Sequence, residues 1–128
     1  VRRQYEALLA WRGGDAATGL ARLGALEAAD PWPADGLLPA YLAAEVAAAA
    51  GEHRETLAAV ERYRRLWQKG YWRAWAWPRT LYLAARAHAA LGDRDAARRE
   101  VDRLLALWRR ADPDLPLLRE ARALRARL

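Results

Sequence analysis

Any chemistry in this chain must be done with arginine, carboxylate, histidine, tyrosine or threonine side chains, because the sequence contains neither serine nor cysteine. The usual hydroxyl and thiolate nucleophiles are therefore missing, and Thr18, Thr56 and Thr80 lie outside any activating motif. His53 and His88 are the only histidines, and neither has an acidic or histidine neighbour three or four residues away to complete a metal site. No glycine-rich phosphate loop occurs either. The expectation is a protein that is not an enzyme, with no catalytic residue, no cofactor and no metal.

Recognition chemistry is better supplied. The chain carries 22 basic and 16 acidic residues, a net charge of +6, and Lys69 is its sole lysine. Arg62, Arg64, Arg65, Arg98, Arg99, Arg103, Arg109 and Arg110 could contact nucleic acid. Against that, Asp95 with Arg99 and Glu61 with Arg65 are spaced i, i+4, and Glu100 with Arg103 i, i+3, the layout of a solvated, internally paired helix face. Nucleic acid is the less favoured partner. Tyr71, Trp72, Trp75 and Trp77 form the densest aromatic cluster. Exposed, it would be a contact patch for a partner; buried, it would fill gaps beside an alanine-rich helix, and the second reading is preferred.

Alanine, leucine and arginine dominate and all favour helices, so the expected class is all-α. Start and stop signals divide the chain into seven helices. The first runs from Arg2 to Arg12 with Tyr5, Leu8, Leu9 and Arg12 on one face. Asp15 caps the second, which ends near Ala29 before a proline-rich connection. A third spans Pro39 to Ala50, and a fourth carries Leu57, Val60, Tyr63 and Trp67. Pro78 opens a fifth that reaches Leu91. The sixth covers Arg94 to Arg110, burying Ala97, Val101, Leu104 and Trp108. Asp112-Pro113-Asp114-Leu115-Pro116 leads into an amphipathic seventh with Leu117, Leu118, Ala121, Leu124 and Leu128. The longest nearly uncharged run, Leu37 to Gly51, is too short to cross a membrane and includes Glu45. The absence of cysteine fits a reducing, cytoplasmic setting. Because Val1 already lies in a helical pattern, the sequence reads as a piece of a longer protein.

Gly14, Gly51 and Gly92 follow apolar stretches at steps of 37 and 41 residues, each followed by an acidic residue. Around them Ala44 and Ala85 precede the turn, Thr56 and Ala97 follow it, and Leu23, Val60 and Val101 recur beyond. Small residues at such points let two helices cross closely. This pattern resembles the tetratricopeptide repeat, with departures at Ala40, Ala47, Leu81, His88, Tyr63 and Leu104. The ending resembles the carboxyl-terminal repeat region of large bacterial signalling and regulatory proteins. The resemblance implies one domain over residues 1–128, a right-handed superhelical array of antiparallel helix pairs. Its approximate repeats are 1–31, 37–70 and 78–111, with a capping helix at 114–128.

In that family the first helices line a concave face. The resemblance thus places Leu38, Tyr41 and Glu45 beside Arg79, Tyr82 and Arg86, as a groove for a protein or peptide of acidic character. An equally weighted alternative pairs Glu45 with Arg86 and packs the tyrosines between repeats. The function expected is a scaffold or sensor module for protein interaction. The alternatives are docking on an upstream domain of the same protein, or self-association.

Overall fold

The computed structural model describes residues 2–31, 38–67 and 75–128, the side chains of Arg2, Tyr5 and Trp67 aside. Among the described residues there are seven α-helices and no strand: α1 (Arg2–Arg12), α2 (Ala16–Ala29), α3 (Pro39–Ala49), α4 (His53–Trp67), α5 (Trp77–Ala90), α6 (Arg94–Leu107) and α7 (Pro116–Arg127). They pack as two compact units, Val1–Ala74 with α1 to α4 and Trp75–Leu128 with α5 to α7.

Three hairpins share one turn. Gly14, Gly51 and Gly92 have φ of 91°, 77° and 86°, a left-handed conformation that costs glycine almost nothing. At each, the glycine N–H returns to the carbonyl three residues back, and the following N–H returns to the carbonyl five back: Asp15 to Ala10 at 3.1 Å, Glu52 to Ala47 at 2.9 Å, Asp93 to His88 at 2.9 Å. This pair of hydrogen bonds satisfies carbonyls that a helix end leaves open. The next helix starts at once. Asp15 accepts from the Thr18 N–H at 2.8 Å and Asp93 from the Ala96 N–H at 2.9 Å.

Counting from these glycines, equivalent residues meet in each hairpin. Ala7, Ala44 and Ala85 are fully buried before the turn; Gly19, Thr56 and Ala97 are buried after it; Leu23, Val60 and Val101 follow. Thr56 keeps its hydroxyl satisfied by donating to the Glu52 carbonyl at 2.9 Å. At Gly19 the helices come so close that a Cβ would stand 3.0 Å from the Ala7 carbonyl oxygen and 3.3 Å from the Trp11 Cβ.

In the first unit α2 packs on α1 and α3, and α3 on α4. Here α1 departs from expectation: it buries Gln4 and Ala7, while Leu9 is 65% exposed and Arg12 is exposed. The contact at Gly19 turns α1 so that the Ala7–Trp11 side meets α2. In the second unit Leu81, Tyr82 and Ala85 of α5 pack with Val101 and Leu104 of α6 and Ala121 and Leu124 of α7. Helix α6 stops at Leu107, three residues short of the expected Arg110. The Ala111 N–H folds back onto the Trp108 carbonyl at 3.0 Å, turning the chain off the helix before Pro113, while Trp108 packs against the core.

Candidate binding face

The expected groove residues fall into two sets, one in each unit. In the first, Leu38 is buried, 3% exposed, in the N-cap position of α3 and offers a partner almost no surface. Tyr41, half-buried on the same helix, donates its hydroxyl to Glu45 Oε1 at 2.8 Å. Its ring centre lies 6.1 Å from that of Tyr63 with the planes tilted by 54°, a favourable aromatic geometry. Tyr41 and Glu45 thus form a polar pair one turn apart, anchored on the α3–α4 hairpin.

In the second unit Arg79, Tyr82 and Arg86 lie on one side of α5, at i, i+3 and i+7. The Tyr82 ring is buried in the core of the unit, 8% exposed. The guanidinium carbons of Arg79 and Arg86 stand over that ring at 5.6 and 5.7 Å from its centre. Electron density on the ring face attracts both cations. Arg79 also approaches Glu120 of α7, Nη1 to Oε2 at 3.8 Å. Arg86 is exposed. The result is a short basic strip whose aromatic base is fixed by packing.

The aromatic cluster divides. Trp75 is 62% exposed, whereas Trp77 packs against the core of the second unit. Tyr71 and Trp72 lie outside the described residues.

No family model, no curated protein and no solved structure matches the chain.

His88 Nδ1 lies 3.9 Å from Asp93 Oδ2, beside the α5–α6 turn that Asp93 caps. No group of three His, Cys, Asp or Glu side chains able to hold a metal occurs among the described residues. Nor is any described helix long and apolar enough to cross a membrane.

The arginines differ strongly in how they are used. Arg62 of α4 bridges Glu27 of α2, with Nε at 3.2 and 3.1 Å from its two carboxylate oxygens, and Glu55 of its own helix at 3.0 Å. Burial opposes its charge, but the hydrogen bonds and attraction of Glu55 and Glu27 outweigh that and raise its pKa above the ordinary arginine value. It is an internal clamp between α2 and α4.

Sequence reasoning missed Glu120, because nothing in the chain places the middle of α7 next to the start of α5. It also passed over Ala7 and Gly19, although both stand at the same offsets from Gly14 as Ala44 and Thr56 from Gly51. That offset was the available signal.

Proposed function

We propose that this chain is a non-catalytic protein-interaction module, a scaffold or sensor built from helical hairpins of the tetratricopeptide type, and that the exposed strip of α5 takes an acidic peptide. The hairpin assignment is supported by the turn repeated at Gly14, Gly51 and Gly92 and by the small residues buried at equal offsets around it. Its cysteine-free composition suits a cytoplasmic setting.

The observation that carries the binding site is Arg86. It is exposed, holds no ion pair among the described residues, and has its guanidinium stacked over a ring that the core keeps still. Stacking on an aromatic face restricts the side chain while leaving its N–H edges free to grip a carboxylate in bidentate fashion. Arg79, one turn before Tyr82, supplies a second cation, and a partner carboxylate would compete for it with Glu120.

Anisotropy of a fluorescent peptide rich in aspartate and glutamate tests the reading. The double variant R79E/R86E should weaken capture by at least about tenfold, the loss of roughly one charged hydrogen bond or more, with unchanged far-ultraviolet dichroism. Equal capture by the variant would remove the site from α5.

A further inference from the structure

Charge is unevenly shared along the chain. Residues 75–128 hold twelve arginines against seven carboxylates, so the second unit carries +5 of the net +6. Sequence spacing offers Asp95 to Arg99 and Glu100 to Arg103, but the folded unit spends both acids elsewhere. Asp95 Oδ1 pairs with Arg98 at 3.3 Å, and Glu100 is buried. Asp102, the remaining acid on α6, lies 2.7 Å from Arg125 Nε of α7. Arg99, Arg103, Arg110, Arg119 and Arg122 hold no ion pair among the described residues.

Two contacts fix how α6 and α7 lie together. Arg98 donates to the Leu128 carbonyl and Asp102 meets Arg125, so the helices run antiparallel with residues 98 and 102 of α6 at the seam. Helical geometry then turns Arg99, Arg103 and Ala106 outward as one row, all of them exposed, and Arg110 is exposed in the turn that follows α6. Across the seam Arg122 sits one turn before Arg125, with Arg119, Ala123 and Ala126 on the solvent side, and these four are also exposed. The outer surface of the pair therefore carries Arg99, Arg103, Arg119 and Arg122 with alanines between them, beside the acids Asp95 and Asp102 that Arg98 and Arg125 already hold.

We infer that the outer face of the α6–α7 pair binds the phosphate backbone of nucleic acid without regard to base sequence. Arginine forks match phosphate oxygens, and alanines between them let a backbone approach closely. The helical stretch from Arg99 to Ala106 is about 10 Å long at 1.5 Å per residue, the length of roughly three phosphate steps along one strand. The contacts assigned to these arginines are to phosphate oxygens, which position without specifying. An acidic protein would need a pocketed aromatic or aliphatic cluster, and an anionic membrane several apolar side chains to insert; within α6 and α7 the one large exposed apolar side chain is Leu107, 54% exposed, a single residue among the arginines and alanines.

The test is anisotropy of a fluorescent duplex of arbitrary sequence, titrated with this chain at several salt concentrations. Binding should weaken with salt at a log–log slope of about −3, as expected for three to four phosphates neutralised, and be indifferent to base sequence. R99E/R103E/R122E should bind at least about tenfold more weakly, and R99Q/R103Q/R122Q should lose affinity with an unchanged melting temperature, separating charge from folding. R79Q/R86Q should weaken duplex binding far less than R99Q/R103Q/R122Q, because neither position lies on α6 or α7, so this inference and the peptide site fail independently. Duplex binding unaffected by the glutamine variant overturns the proposal. So does capture of phosphatidylserine vesicles or polyglutamate by a chain that leaves the duplex free.

Discussion

Gly19 and Gly24 both sit inside α2, where glycine costs helix stability, yet their surroundings set opposite consequences for adding a side chain. A Cβ at position 24 meets nothing within 4 Å, so Gly24→Ala should raise stability by up to about 1 kcal/mol through lower backbone entropy in the unfolded chain. At position 19 the same atom would stand 3.0 Å from a backbone oxygen of α1. Gly19→Val should cost about 1–3 kcal/mol by overpacking the crossing. Urea unfolding of the two variants against the parent reads both signs. Tyr63 gives a second prediction at this scale. Burial pushes its phenol from 10.0 up to about 12. The unfolded chain ionises at 10.0, so the stability tied to the neutral phenol is complete below that pH and is lost as pH rises through about 12. A phenolate absorbance titration should show a step near pH 12, and Tyr63→Phe should remove it.

Helix limits were largely readable, because proline, glycine and acidic caps act locally: Asp15, Pro39 and Pro78 start helices where their chemistry predicts. Which face each helix turns inward was less so. On α1 the apolar residues Leu8 and Leu9 suggested one face, but the crossing at Gly19 selects Gln4 and Ala7, leaving Leu9 outside. The contact between α2 and α4 was invisible as well, since Glu27 and Arg62 are 35 residues apart. Arg62→Ala should lower stability by about 1 kcal/mol, a charged hydrogen-bond network discounted for partial exposure. The companion Glu27→Gln should lose less, keeping an oxygen acceptor for the guanidinium. Thermal melting of both variants checks the order, and an Arg62→Ala protein as stable as the parent would show the clamp to be idle.

Across the molecule, the decisive difference between sequence and structure lies in where its charges settle. Spacing along α6 made Arg99 and Arg103 look neutralised, and on that basis nucleic acid was the less favoured partner. The folded second unit reverses the premise, because α7 brings Arg125 to Asp102 while Asp95 turns to Arg98 and Glu100 is buried. The groove residues show the same limit. Tyr82 belongs to a core and its flanking arginines to a surface, a distinction that their i, i+3, i+7 spacing does not contain.

By itself, the sequence determined what depends on near neighbours: helices in series, their caps, the three glycine turns and the small residues at the crossings. Backbone conformation and capping are settled within a few residues, so they survive being read along a line. Tertiary structure alone decided which arginines meet a carboxylate, which tyrosine is held by a core and which leucine stays outside. Those outcomes depend on residues far apart in the chain competing for the same partner, and only packing brings the competitors together.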